Sequence, residues 1–193
     1  GGKSVRIGVA LSGGGIRGIA HAGALKAFEE NGIRVDVIGG TSSGSLVAVL
    51  YAMGYTPYYI YMLFKRYAQE LVSVDTTPII NTVGSFITNK KLPIYGFNSG
   101  RSIEKAYNEI ALRKGVKVMK DIKMPVVIPA VDIKSSKKFV FNNVKNGSIY
   151  ISDSPVGTAV RASCSFPGVF CPCVYKEYSF LDGGILDNIP VNE

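Results

Sequence analysis

Hydrophobic positions along the chain fall into short runs separated by glycine turns, and their spacing alternates between that of strands and that of helices. Val5 to Leu11 reads as a strand running into Ser12-Gly13-Gly14-Gly15-Ile16-Arg17-Gly18. Ile19 to Asn31 then reads as a helix, with Gly32 as its stop. A second apolar run, Val35 to Ile38, leads into Gly39-Gly40-Thr41-Ser42-Ser43-Gly44. Leu46, Val47, Val49, Leu50 and Met53 follow with apolar groups on every side of a helix, which predicts a buried one. Strand, glycine turn, helix, repeated, is the alternation of an α/β domain built on a parallel sheet.

The middle is less regular. Tyr58 to Gln69 reads as an aromatic-rich helix, Leu71 to Gly100 has no clear period, and Ser102 to Arg113 reads as a helix ending before Gly115. Pro125 to Ile133 and Lys138 to Phe141 read as strands, the second flanked by the turn signals Asn142-Asn143 and Asn146-Gly147. Pro155 suits the first position of a helix capped by Asp153 or Ser154 and running to about Ala162. Tyr178 to Leu181 reads as a last strand, ending at Asp182-Gly183-Gly184. Without repeats, low-complexity tracts or a linker, residues 1–193 read as one domain.

Composition narrows the class. Of 193 residues, 47% are apolar and 19% charged, which excludes a disordered chain. No apolar run reaches the roughly 18 residues of a spanning helix, and no secretory leader is visible, although the chain opens on Gly1. The expectation is a cytoplasmic protein with peripheral membrane contact. A net charge of +8 favours an anionic neighbour such as a membrane surface, and fits equally a basic surface that keeps the protein soluble. Nothing matches a nucleic-acid module. The three cysteines, Cys164, Cys171 and Cys173, read as reduced thiols, and a zinc site would need carboxylates because His21 is the single histidine.

Two glycine loops carry candidate chemistry. Gly40-Thr41-Ser42-Ser43-Gly44 is a Gly-x-Ser-x-Gly between strand and helix, the setting of a nucleophile elbow. Such a turn strains the serine and leaves no room for side chains at Gly40 and Gly44. The following helix aims its positive dipole end at charge developing near Ser42. The bland alternative is a packing turn with Ser42 as a helix cap. Gly13, Gly14 and Gly15 expose backbone N–H groups able to hold a phosphate or an oxyanion. Read as Gly13-x-Gly15-x-x-Gly18, the same loop fits a dinucleotide fingerprint, with Asp36 18 residues beyond Gly18. Against that rival, Asp36 begins the second strand, where a ribose-binding acid should end it.

Ser42 needs a proton acceptor. His21 lies on the first helix, and a lone helical histidine is more often structural than catalytic. Asp182 closes an apolar strand, and Gly183-Gly184 behind it allow close approach. A carboxyl there, its pKa raised by apolar surroundings, can serve a directly bonded serine. The bland reading of Asp182 is a turn-forming aspartate before two glycines. If the sheet is parallel, its carboxyl-terminal edge brings Gly13, Ser42 and Asp182 together.

Gly-Gly-Gly-Ile-Arg-Gly, Gly-Thr-Ser-Ser-Gly and Asp-Gly-Gly, in that order, resemble the patatin-like phospholipase family. So do His21-Ala22-Gly23-Ala24-Leu25, Arg161-Ala162-Ser163, Phe166-Pro167-Gly168-Val169-Phe170 and Asp187-Asn188-Ile189-Pro190-Val191. The resemblance implies a three-layer α/β/α fold with a mainly parallel central sheet and a serine acyl hydrolase that needs no metal or other cofactor. It implies Ser42 as nucleophile, Asp182 as proton acceptor, and the amides of Gly13, Gly14 and Gly15 as oxyanion hole. Arg17, Gly18, Gly40, Gly44, Gly183 and Gly184 are then motif support, Arg17 by bracing the glycine loop. Family domains usually continue past the Asp-Asn-x-Pro-Val stretch, so a domain shortened at its C-terminus is expected. A lipid or phospholipid is the implied substrate. The tyrosines from Tyr51 to Tyr67, with Phe64, Lys65 and Arg66, suit a lipid–water boundary or half-buried packing. The lysines Lys114, Lys117, Lys120, Lys123, Lys134, Lys137 and Lys138 suit anionic headgroups or a solvated face. A catalytically silent lipid-binding module of the same fold stays open beside the hydrolase and the nucleotide-binding rival.

Overall fold

The computed structural model describes residues 5–73, 100–167 and 170–192, with backbone alone for 67–73. The irregular stretch 74–99, Gly168, Val169 and the side chain of Tyr67 lie outside the described residues. Seven strands form one sheet: β1 (Gly8–Leu11), β2 (Val37–Gly40), β3 (Val126–Asp132), β4 (Lys138–Asn142), β5 (Tyr150–Ile151), β6 (Cys173–Tyr175) and β7 (Tyr178–Asp182). Among the described residues five α-helices accompany them: α1 (Ile19–Glu30), α2 (Ser43–Ala52), α3 (Pro57–Ser73), α4 (Arg101–Leu112) and α5 (Val156–Ser163). The layers are those of a three-layer α/β fold.

The sheet is mixed rather than mainly parallel. β1–β2, β2–β3 and β4–β5 pair parallel, whereas β3–β4, β3–β7 and β6–β7 pair antiparallel. Connection length explains the difference. Only Lys176 and Glu177 separate β6 from β7, and a short turn joins β3 to β4, and such links make antiparallel neighbours.

β3 is buried along its whole length, as expected of the central strand. One flank pairs with β4. The other is shared: the pairing with β2 ends opposite Val127, and β7 ends opposite Ala130. β2 and β7 therefore run toward each other along the same flank and meet end to end. Pro129 sits at the gap between them. Its partner Val140 donates its own N–H to Ile149 on the far side, so the donor that Pro129 lacks would have faced that gap.

The core lies between sheet and helices. Ile38, Val47, Val49, Leu50, Val126, Ile128, Phe141 and Phe180 are fully buried, and α2 is enclosed as its all-round apolar pattern predicts. α5 packs on β3, β7 and α4. Pro155 occupies the cap position of α5 without a side-chain cap from Asp153 or Ser154. The cap comes from another helix, since Gly157 N–H donates to Asn108 Oδ1 at 2.7 Å. Arg161 and Thr158 both bond the Glu104 carboxylate at 2.7 Å, tying α5 to α4.

Candidate active site

Ser42 stands between β2 and α2 at φ 54°, ψ −126°, a conformation that a non-glycine residue holds only when its surroundings enforce it. They do so group by group. Thr41 N–H donates to Leu11 O at 3.1 Å, and Thr41 Oγ1 donates to Asp187 O at 2.9 Å. Ser42 N–H donates to Ser163 Oγ at 3.1 Å, and Ser45 Oγ donates to Ser42 O at 2.6 Å. The tightness requires both flanking glycines. A methyl group on Gly40 would lie 2.2 Å from Gly44 O, and one on Gly44 would lie 2.3 Å from Leu11 O. Ser42 takes the cap position of α2, yet its side chain makes no capping bond. Its hydroxyl lies instead beside the carboxylate of Asp182, near enough to lower that group's pKa.

Asp182 reaches Ser42 because β7 ends where β2 ends, head-on, and not through a shared carboxyl-terminal edge of parallel strands. Its side chain is 2% exposed. Asp182 N–H donates to Ser165 O at 3.0 Å, and Gly184 N–H donates to Asp182 Oδ1 at 2.8 Å. Burial pushes this carboxyl above the ordinary carboxylate range, and the Gly184 N–H and the Ser42 hydroxyl offset part of that rise. Gly183 packs on β3, where any side chain would meet Pro129 O at 2.2 Å. Gly18 lies close to Ser43, at 2.8 Å from a would-be methyl group to its Cβ, which seats the glycine loop on the start of α2.

The glycine loop departs from expectation at two points. Gly13 lies against Ser42, but its N–H is taken by Asn188 Oδ1 at 3.1 Å. The exposed Gly14 and Gly15 amides meet no acceptor among the described residues, which leaves two free donors where three were expected. Arg17 supports the turn through its backbone, whose N–H donates to Gly14 O at 3.3 Å. Its guanidinium is exposed and has no partner among the described residues, so the side chain does not brace the loop. His21 holds the loop instead, with Nε2 bonded to Ser12 O at 2.9 Å.

Asp36 precedes β2 at the end of the sheet remote from the glycine loop, accepting from Ile7 N–H at 2.9 Å and pairing with Arg34 at 3.4 Å. Four residues of strand, about 13 Å, separate it from the turn that a ribose would need. Cys164, Cys171 and Cys173 form no disulfide among the described residues. Cys164 adjoins the site, with Sγ 3.7 Å from Ser45 Oγ. Burial, with a smaller push from Asp182, drives its pKa up to about 12. Among the described residues no His, Cys, Asp or Glu cluster is placed to hold a metal ion, and no helix is long and apolar enough to cross a membrane.

The model of the patatin-like phospholipase family matches residues 9–193. The chain belongs to the patatin-like phospholipase family. Among relatives of this patatin-like chain, the uncharacterized protein YqhO of Bacillus subtilis is 32% identical over 94% of the chain and 64% of YqhO. Lysophospholipase NTE1 of Candida albicans is 33% identical over 97% of the chain, which spans 12% of that protein. The chain thus spans less than two thirds of either relative. Two solved structures share the fold. VipD of Legionella pneumophila superposes at a TM-score of 0.61 and 16% identity, over 96% of this chain and 47% of VipD. A chain of the ExoU–SpcU complex of Pseudomonas aeruginosa superposes at 0.52 and 23% identity, over 86% of this chain and 37% of that one.

Ser163 and Asn188 were not singled out as functional from sequence, although both lie in stretches that carried the resemblance. Each holds a backbone N–H of the site, and neither has a residue type or spacing that announces chemistry. The aromatic cluster divides. Tyr55 stacks on Tyr59 at 4.6 Å between centroids and donates to Ile110 O, whereas Tyr58 and Tyr61 face solvent. Two of the lysines are structural contacts: Lys138 pairs with Asp187 at 3.0 Å, and Lys134 donates to Glu177 O at 2.9 Å.

Proposed function

We propose that this patatin-like protein is a serine acyl hydrolase of lipid esters that works through a Ser42–Asp182 dyad. The observation that carries the reading is the placing of a strained serine beside a buried carboxylate at the meeting of β2 and β7. Ser42 Oγ attacks the ester carbonyl carbon while its proton passes to Asp182. The Gly14 and Gly15 amides, with the positive end of α2, stabilise the oxyanion. Collapse of the tetrahedral intermediate breaks the bond to the leaving alkoxide, which takes the proton from Asp182 and leaves an acyl group on Ser42. Water then attacks the acyl-enzyme, gives its proton to the same carboxylate, and releases a fatty acid as Ser42 recovers its hydrogen.

A lipid substrate is supported by the family and by apolar side chains around the dyad. Ile16 on the glycine loop, Phe166 beside Ser165, Ile185 and Leu186 just past Asp182, and Ile189 beside Asn188 are all about half exposed. With the basic charge balance, this rim fits peripheral contact with an anionic membrane surface. A fluorophosphonate probe tests the reading. Labelling of the native chain that disappears in Ser42→Ala supports it, and labelling that survives the change refutes it.

A further inference from the structure

Tyr178 begins β7 and Asp182 ends it, so the start of this strand lies about 13 Å from the candidate dyad. There the β6–β7 hairpin and β5 border a half-open pocket of about 170 Å³. Its walls include the rings of Tyr150, Tyr175 and Tyr178, and its rim carries Asp153, Lys176 and Glu177. Tyrosine faces attract cations, and Asp153 and Glu177 add two carboxylates beside them.

Two of the chain's own ammonium groups already sit on these rings. Lys176 Nζ lies 5.3 Å from the Tyr175 centroid, and Lys145 Nζ lies 5.5 Å from that of Tyr150. Lys176 also bonds Asp153 at 2.7 Å across the opening. It does so from the two-residue hairpin turn at φ 53°, a position that glycine normally fills. Lysine is held in that strained conformation with its ammonium set between a carboxylate and an aromatic face. Glu177 has no ion-pair partner among the described residues, Lys134 reaching only its backbone carbonyl. The volume is large enough for a group of benzene size, about 150 Å³.

We propose that this pocket binds a small organic ammonium group of trimethylammonium size, for which the Lys176 side chain is a tethered stand-in. The group is free in solution or the headgroup of a lipid, and the chemistry of recognition is the same. The inference is independent of the dyad, since none of the lining residues touches Ser42 or Asp182.

Tetramethylammonium chloride titrated into the full chain, with tyrosine ring signals followed by NMR, tests the site. Tyr150, Tyr175 and Tyr178 are expected to shift together and to saturate. Neopentyl alcohol, similar in shape without the charge, should bind about tenfold more weakly. Lys176→Gly accepts the positive φ and removes the internal competitor, so it should tighten binding about fivefold. Asp153→Asn should weaken it about fivefold. A monomeric short-chain phosphatidylcholine separates the sources: binding tighter than the bare ion supports a headgroup, and equal binding supports the free ion. Equal response to the neutral alcohol, absence of the ring shifts, or weaker binding in Lys176→Gly overturns the proposal.

Discussion

Gly44→Ala is the substitution whose consequence follows most directly from the geometry. The added methyl group would lie 2.3 Å from Leu11 O and 2.8 Å from Ser12 O, against an ordinary contact of 3.4 Å or more. Both obstacles are backbone, so no side chain can swing aside, and α2 must retreat from β1 by about an ångström. Ser42 moves with α2 while Asp182 stays on β7, so the displacement falls on the approach of the hydroxyl to the carboxylate. Overpacking of this kind costs about 1–3 kcal/mol of stability, and an ångström of misplacement costs about a hundredfold in rate. The assay is kcat/KM on a soluble acyl ester, paired with thermal unfolding. Gly23→Ala is the control: Gly23 is an exposed α1 residue with nothing within 4 Å of a would-be methyl group. That change should leave activity intact and raise stability by about 0.5–1 kcal/mol. Native kcat/KM and melting temperature in Gly44→Ala would refute the claim that this glycine sets the elbow.

Ser163→Ala leaves the half-buried Ser42 N–H without its 3.1 Å acceptor, which should cost about 1 kcal/mol and lower kcat more than it changes KM. Denaturant unfolding and steady-state kinetics check both parts. Because burial raises the Asp182 pKa in the folded state, the stability tied to its protonated form is present in acid and lost as pH rises through that folded pKa. Asp182→Asn should therefore melt higher than the native chain at neutral pH, lose that advantage below the unfolded carboxylate pKa, and be nearly inactive throughout. His21→Ala removes the bond to Ser12 O and should cost about 0.5–1.5 kcal/mol while retaining most activity, measured at a temperature where both proteins are folded.

Elements governed by local rules were legible in the chain. The glycine stops, the helix pattern of Ile19 to Asn31, the buried α2 and the continuous apolar run of β3 all depend on neighbours close in sequence. Glycine at 40 and 44 is what the tightness of a strand–turn–helix asks for, and the backbone approaches there are close. What depends on long-range pairing was not legible. Strand direction around β3 is set by connection length, and β5 and β6, at two and three residues, are too short to show a period. Asn188 and Gly13 meet across 175 residues, so the loss of the Gly13 amide from the donor set is visible only in the folded chain. The side chain of Arg17, read as a brace from its place in the motif, points to solvent because His21 and Asn188 already fasten the loop.

The pH dependence of Ser42 acylation by a fluorophosphonate, compared in the native chain, Asp182→Asn and His21→Ala, bears most directly on proton acceptance by a carboxylate. The account predicts an acid limb displaced above the ordinary carboxylate range, unchanged in His21→Ala and abolished with the reaction in Asp182→Asn. A limb that survives in Asp182→Asn and disappears in His21→Ala would contradict it.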